Sequence, residues 1–427
     1  MKKHLDCYSY KNIYYIIKNL LIIGFTFPEP STTAAGVRMM QLIDFFLSKG
    51  YKITFASTAS ISDKSVDFTS LEISTKEIKL NDSSFDVFVK ELNPDIVLFD
   101  RFLTEEQFGW RVAENCPNSI RILDTEDLHF LRKARGKAYK TDTSFEKINL
   151  FTEVAKRELA SILRSDLSLI ISEYEVELLE NTFKISDDTL HYLPFMMDKL
   201  DEKEIVSLPT FEERNHFITM GNFQHAPNLD AVIYLKKKIW PLIRKQLPEA
   251  QIHIYGAYVP TEVATMNDEK EGFLIKGWAE NITEVLKNSR VCLAPLQFGA
   301  GLKGKLFDAM KSGTPSVTTS IGAEGINGSL SFGGFIEDSI EKFVKASVLL
   351  YTEKDEWQTA QQSGFNILDK RFNSEEIKNK FGDKLGVIFK NIEDHRQSNI
   401  IGQILQHQSL QATKYLSKWI EEKNKVN

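Results

Sequence analysis

The chain has 427 residues, of which 42% are hydrophobic and 26% are charged, and its formal net charge is -6. This length suffices for two domains of ordinary size, and the slightly acidic balance argues against a broad nucleic-acid surface. The three cysteines, Cys7, Cys116 and Cys292, lie far apart and form neither a disulfide framework nor a zinc-ligand spacing, which favours a reducing cytoplasm.

The N-terminal segment begins with positive charges, but Asp6, Lys11 and Lys18 interrupt the apolar stretch behind them and no small-residue cleavage site follows. We therefore do not interpret it as a signal peptide. Apolar residues in 8–20 recur at helical spacing, which predicts a helix packed on the domain. Peripheral contact with the inner face of a membrane is the alternative.

Short apolar runs alternate with helical patterns along the chain, which is typical of a parallel α/β sheet. In the first half, the predicted strands are 20–25, 52–56, 96–99, 120–123 and 167–171, and the predicted helices are 35–48, 105–114 and 145–164. After a charged linker at about 193–214, a second series has strands 217–220, 251–255, 273–276, 290–294 and 316–319, and helices 228–246, 282–287, 305–312 and 338–351.

These two series predict two doubly wound, Rossmann-like domains with a ligand cleft between them. We place the first domain at 1–206, the second at 207–373, and C-terminal helices at 374–427 that pack back toward the first domain. An imperfect apolar stripe in 400–424 predicts structural packing, with an oligomer contact as the alternative.

The most informative segment is 298–324, in which a glycine-rich turn follows an apolar run and precedes a helical pattern. Gly299 and Gly301 let backbone N–H groups approach an anion, and Lys303 and Lys305 add positive charge where the helix begins. Asp308 lies within helical reach of Lys305. Cations, free N–H groups and a carboxylate suit a phosphate together with a pair of sugar hydroxyls, so the segment predicts a nucleotide-sugar site.

Several motifs in order over about 217–330 resemble the C-terminal domain of the GT-B glycosyltransferases, in particular glycosyltransferase family 4. The segment Gly221-Asn222-Phe223-Gln224-His225 is similar to the loop that opens that domain, Gly277-Trp278 to a later loop, and 299–324 to its sugar-nucleotide motif. The resemblance implies a retaining transfer of a sugar from a nucleotide-diphosphate sugar to a hydroxyl acceptor, with no obligatory metal and no cofactor besides the donor. The base, the sugar and the acceptor (glycan, lipid-linked or protein) stay open.

The resemblance also assigns site residues. Asp308 takes the position that holds the ribose hydroxyls in the family, whereas Ala300 stands where many relatives have another carboxylate. The N–H groups of Gly301 and Leu302 would then meet the sugar, and Lys303 and Lys305 would stabilise the departing diphosphate. The resemblance implies further donor contacts at Gly221, Asn222, His225 and Glu324.

The first half contributes three candidates. In the loop after the first strand, Gly36 permits close backbone approach and Arg38 could meet a phosphate or the acceptor, with a surface salt bridge as the alternative. His129 follows the strand 120–123, where active sites form, and could orient the donor sugar or act as an acid or base. A structural histidine is the alternative.

Three other functions stay open at this point. Asp124-Thr125-Glu126 loosely matches the metal-binding motif of the GT-A glycosyltransferases, in which carboxylates hold a divalent cation on the diphosphate. The chain could instead be a catalytically degenerate GT-B scaffold subunit or a GT-B sugar-nucleotide epimerase. Nucleotide binding would separate an enzyme from a scaffold, and product analysis without acceptor would reveal an epimerase.

Overall fold

The computed structural model describes residues 18–407 and, beyond them, only Tyr415, Trp419 and Lys423. The predicted N-terminal helix and most of the 400–424 stripe lie outside the described residues. Within 18–407 the chain forms two parallel sheets, one of seven strands and one of six. No helix in this described part is long and apolar enough to cross a membrane.

The first sheet has the strand order β3-β2-β1-β4-β5-β6-β7, and its central strands are buried on both faces because helices cover them. Its strands are β1 Asn19–Gly24, β2 Lys52–Ser57, β3 Ser74–Glu77, β4 Ile96–Asp100, β5 Ile120–Asp124, β6 Leu167–Ile170 and β7 Leu190–Tyr192. Its helices are α1 Ala34–Ser48, α2 Ser84–Leu92, α3 Arg101–Asn115, α4 His129–Lys140, α5 Glu153–Arg164 and α6 Glu173–Phe183, and the short α7 Glu202–Val206 follows in the linker.

The second sheet has the order β10-β9-β8-β11-β12-β13. Its strands are β8 Asn215–Met220, β9 Ile252–Tyr255, β10 Phe273–Gly277, β11 Ser289–Ala294, β12 Ser316–Thr318 and β13 Gly334–Ile336. The helices from here on are α8 Ala226–Tyr234, α9 Trp240–Gln246, α10 Thr261–Ala264, α11 Ile282–Asn288, α12 Gly304–Lys311, α13 Ser320–Ala323, α14 Ile340–Thr352, α15 Lys354–Arg371, α16 Ser374–Lys390, α17 Ile392–Ser398 and α18 Ile400–Gln406.

Helix α16 follows the second domain in the chain but packs on the first. Its residues Phe381 and Leu385 join the core that surrounds α1, and the rings of Phe45 and Phe381 lie 4.7 Å apart between centroids. The two segments that pass between the domains also touch, because Met197 N–H donates to Phe372 O at 2.7 Å.

The predicted architecture of two doubly wound units with C-terminal helices is confirmed. The prediction of a single helix at 145–164 is wrong. A 3-10 turn, Lys147–Leu150, comes first, and α5 begins only after Thr152, whose side chain caps the helix by accepting a hydrogen bond from Ala155 N–H. The helix predicted at 228–246 is interrupted by a π turn, Leu235–Ile239. The sequence analysis did not predict strands β3, β7 and β13. These strands are short and lie at sheet edges, so they show little of the apolar pattern by which strands are predicted.

Candidate functional site

A cavity of about 620 Å³ lies between the two domains. The carboxyl ends of strands from both sheets meet it, as expected for open parallel sheets. The residues that follow these strands and line the cavity are Arg101 after β4, Glu126 after β5, Ile171 after β6, Gly221 after β8, Gly256 after β9, Trp278 after β10 and Leu296 after β11.

The glycine-rich turn forms one wall of this cavity. Gly301 has a φ of 62°, in the left-handed region that favours glycine, and a Cβ built on it would lie 2.8 Å from Cβ of Asp127. A glycine is therefore required both by the backbone and by the first-domain loop that packs against it. Helix α12 begins directly after the turn, and no side chain caps its N-terminus.

Two lysines extend from this turn into the cavity. Lys305 Nζ donates to Asn228 Oδ1 at 2.9 Å, and Lys303 Nζ donates to the carbonyl oxygens of Gly301, at 2.5 Å, and Ala300, at 3.2 Å. Burial lowers the pKa of both amino groups, that of Lys305 to about 8. Among the described residues neither lysine forms an ion pair with a carboxylate, so an anionic ligand would stabilise both charges.

Asp308 lies one helical turn beyond Lys305 on α12 and also lines the cavity. Burial raises the pKa of its carboxyl group to about 6. At neutral pH the group is ionised and can accept hydrogen bonds from hydroxyls. The turn, the two lysines and this carboxylate thus lie together, as the sequence predicted.

The loop after β8 supports Lys305 from the other side. Asn228 Nδ2 donates to Asn222 O at 3.0 Å, and a Cβ on Gly221 would lie 2.6 Å from Cγ of Asn228. Position 221 therefore requires a glycine, because Asn228 packs against it. Asn228 in turn accepts the hydrogen bond from Lys305. The role of Asn228 was not predicted, although its place at the start of a helix was.

His129 is the first residue of α4 and lines the first-domain wall of the cavity. Burial lowers the pKa of its imidazole to about 4, so the ring is neutral at pH 7. His129 Nε2 lies 3.6 Å from Asp127 Oδ1. A neutral imidazole here can donate or accept one hydrogen bond at the cavity, but it carries no charge for a phosphate.

Several charged residues of this wall were not assigned to the donor site from the sequence, among them Arg101, Glu126, Asp127 and Arg132, although Glu126 belonged to the GT-A-type motif. Arg101 and Glu126 have φ values of 70° and 62°, and they follow neighbouring strands whose last residues pair in register. Such strained non-glycine backbone is found disproportionately at ligand sites. The pKa of Glu126 is raised by its burial and then by two nearby carboxylates. Acidic residues just past β5 were the signal that could have found Glu126 and Asp127.

Arg38 does not reach the cavity, so the predicted contact with a phosphate or acceptor is wrong in this structure. Its side chain is 1% exposed, donates to both oxygens of Asp124 and donates to Leu193 O at 2.5 Å. This pairing also occupies the first carboxylate of the GT-A-type motif. Gly36 is likewise structural, because a Cβ there would lie 2.5 Å from the carbonyl carbon of Glu29.

Glu324 and the Gly301 N–H are also engaged by the first domain. Arg135 donates to both oxygens of Glu324, at 2.8 and 2.7 Å, and to Gly299 O at 3.0 Å. Glu175 accepts from Gly301 N–H at 2.9 Å, and burial raises its pKa to about 8. The donor contacts predicted for Glu324 and for this N–H group are therefore replaced here by contacts between domains.

Other contacts hold the two domains together at the opposite end of the cavity. Tyr258 donates from its hydroxyl to Glu29 at 2.9 Å, and Trp278 Nε1 donates to Ser31 O at 3.2 Å. Lys64 lies 3.7 Å above the Trp278 ring. The loop after the first strand thus contacts the second domain directly. Within the described ranges, no group of three or more His, Cys, Asp or Glu is arranged to hold a metal ion.

Comparison with known proteins places this geometry in context. Residues 214–353 match the family model described as Glycosyl transferases group 1. No curated protein matches the chain. Sucrose-phosphate synthase from Thermosynechococcus elongatus is similar in structure, with a TM-score of 0.66 and 13% sequence identity over 87% of this chain and 99% of that one. S. aureus TarM has a TM-score of 0.65 and 10% identity over 87% of this chain and 99% of that one. Anabaena HepE has a TM-score of 0.60 and 11% identity over 86% of this chain and 99% of that one.

These structural likenesses show the fold, and that fold is GT-B: two Rossmann-like domains that face each other across a cleft. A GT-A architecture is thereby excluded. The family match covers the whole second sheet together with the glycine-rich turn and α12.

Proposed function

We propose that the chain is a group 1 glycosyltransferase of the family 4 type, which transfers a sugar from a nucleotide-diphosphate sugar to a hydroxyl acceptor. One observation carries the proposal: Lys303 and Lys305 extend into the interdomain cavity beside the start of α12, and neither is ion-paired within residues 18–407. The family match over the same segment supports it.

In the proposed reaction, the bond from the anomeric carbon to the β-phosphate oxygen breaks, and its electron pair stays on the phosphate. The two lysines and the N-terminus of α12 stabilise the negative charge that develops there. The acceptor oxygen bonds to the anomeric carbon on the same face, and its proton passes to the departing phosphate oxygen. Configuration is retained, and the protein's own cations perform the neutralisation without a divalent metal.

Asp308 would accept hydrogen bonds from the ribose hydroxyls, since it lies one turn from Lys305 on the same helix. The first-domain wall would receive the acceptor, with Glu126 and the neutral His129 as its hydrogen-bonding groups. HepE has been solved with UDP and glucose, and a TarM mutant with UDP and α-GlcNAc-glycerol. These complexes make a uridine nucleotide and a glycan acceptor the first candidates to test.

The test is a panel of UDP, GDP and ADP and their glucose and N-acetylglucosamine conjugates, scored by thermal shift and by release of the nucleoside diphosphate. At least one nucleotide should raise the melting temperature. Lys305→Ala should lower the affinity and the release rate about tenfold or more, because it removes a cation from the leaving group. Lys345→Ala, an exposed lysine on α14, is the matched control and should behave as wild type.

Two results would contradict the proposal. If none of these nucleotides binds, the scaffold alternative is favoured. If a sugar nucleotide is converted to its epimer without acceptor, the chain is an epimerase.

A further inference from the structure

Arg132 on α4 has uncommitted hydrogen-bonding capacity at the cavity. Its Nη1 donates to Asp127 Oδ1 and Oδ2, at 3.0 and 2.8 Å, and lies 3.2 Å from His225 Nε2. Within residues 18–407, nothing accepts a hydrogen bond from its Nε or Nη2. The side chain is 22% exposed and lines the cavity. A guanidinium has five N–H donors, so most of them are available to a ligand.

Arg135, nearly one turn later on the same helix, is the opposite case. It donates from both Nη1 and Nη2 to Glu324 and from Nη1 to Gly299 O, and only 8% of its side chain is exposed. Arg135 therefore attaches the glycine-rich turn to the first domain. Arg132 contacts the second domain through a single nitrogen and keeps the rest of its guanidinium open to the cavity.

His225 contacts Arg132 and lines the same cavity as the two lysines of the second domain. Burial, together with the charges of Arg132, Lys305 and Lys303, lowers the pKa of His225 to about 4, while Asp127 opposes them. An arginine can only donate, so the neutral ring accepts at Nε2 and carries its proton on Nδ1. Three cations thus lie around one imidazole, and two of them belong to the glycine-rich turn.

Ionised carboxylates near these cations are few. Asp127 is paired with Arg132, and Glu324 is paired with Arg135. Burial raises the pKa of Glu175 to about 8, so this group is protonated at neutral pH. Asp308 is ionised beside the two lysines but forms no ion pair with them among the described residues, and the two lysines outnumber it, so a diphosphate would supply the missing negative charge.

We propose that Arg132 binds the diphosphate of the donor from the first-domain side, opposite Lys303 and Lys305; this inference rests on the proposed function. Because Arg132 belongs to one domain and the lysines to the other, the full set of cations assembles only when the domains are in contact. Domain closure then becomes a condition for stabilising the leaving group. Asp127 and His225 hold the guanidinium in place.

The experiment compares nucleoside diphosphates with their monophosphates on the full chain. Dissociation constants are measured by calorimetry for UDP, GDP and ADP and for UMP, GMP and AMP. Arg132→Gln, which can still donate to Asp127, should weaken the bound diphosphate about tenfold and the monophosphate much less. Arg132→Lys should restore part of that difference. Lys137→Ala, which removes an exposed charge from the same helix, should leave both constants unchanged.

A packing role for Arg132 would lower both affinities together and would leave their ratio unchanged. If the wild type binds a diphosphate and Arg132→Gln keeps the wild-type ratio, the inference is overturned while the proposed function stands. If the wild type binds none of the six nucleotides, both fall. A selective loss of diphosphate affinity that lysine partly restores supports the inference.

Discussion

The two walls of the cavity differ in how their charges are used. On the second domain, Lys303, Lys305 and Asp308 come from one short segment, and none of them belongs to an ion pair among residues 18–407. On the first domain, the charges come from separate elements and are mostly paired with each other, both at the wall, as Arg132 is with Asp127, and behind it, as Arg38 is with Asp124. Unpaired charges in a cavity are suited to a ligand, whereas paired and buried charges maintain the shape of the wall.

This difference predicts that removing a charge has opposite consequences on the two walls. Arg38→Ala should lower the free energy of unfolding by about 3–5 kcal/mol, because it leaves Asp124 buried without its partner. Urea denaturation followed by circular dichroism measures this loss. Arg157→Ala breaks an exposed pair with Glu106 and should cost at most about 1 kcal/mol. A stable Arg38→Ala protein that no longer binds nucleotide would return Arg38 to the donor site.

On the other wall, the effect should fall on the ligand. The ionised carboxylate of Asp308 accepts hydrogen bonds from the ribose hydroxyls more strongly than the protonated group does, so donor affinity should fall as the pH drops through about 6. Affinity should also fall above about 8, where Lys305 loses its proton, which gives a maximum between these values. Asp308→Asn should bind the donor about five- to tenfold more weakly, which is a loss of about 1 kcal/mol of binding free energy.

Titration calorimetry with the ribonucleotide and its 2′-deoxy form checks this assignment. The 2′-deoxy nucleotide should bind the wild type and Asp308→Asn with similar affinity, because one of the hydroxyls bound by Asp308 is missing. In Asp308→Asn, the loss of affinity at acidic pH should be smaller and should reflect only protonation of the phosphate. Equal losses for both nucleotides would mean that Asp308 does not contact the ribose.

Where the walls meet, the expected effect depends on pH. Glu175 has its folded-state pKa raised to about 8, so its contribution to stability is full below its ordinary pKa and is lost as the pH rises through about 8. Glu175→Gln keeps an oxygen for the Gly301 N–H and removes this titration. The variant should equal the wild type near pH 4 and be more stable at pH 9, as thermal melts would show. A variant that is less stable at pH 9 would mean that the ionised carboxylate stabilises the contact.

The same difference explains what the sequence could and could not predict. Gly301, Lys305 and Asp308 could be placed together because they are close in the chain and share one turn and one helix. Asn228 and Arg132 could not, since only the folded second domain brings α8 to Lys305, and only the contact between the domains brings α4 to His225. Arg38 was misassigned because nothing local shows that Asp124, 86 residues later, lies beside it.

Glycines show the same limit. Gly36 was predicted as a place of close backbone approach and Gly221 as a donor contact, but the groups that lie against them are Glu29 and Asn228. A sequence indicates that a side chain would not fit at such a position. It does not indicate whether the neighbour is a ligand or another part of the protein.

We expect the glycine-rich turn and α12 to form the nucleotide-diphosphate site. A crystal structure of the full chain with the nucleoside diphosphate that raises its melting temperature most tests this directly. We predict that the phosphates lie against Lys303, Lys305 and the N-terminus of α12, with the ribose hydroxyls on Asp308. A nucleotide that binds elsewhere in the cavity and does not contact Lys303, Lys305 or Asp308 would show that this segment does not form the donor site.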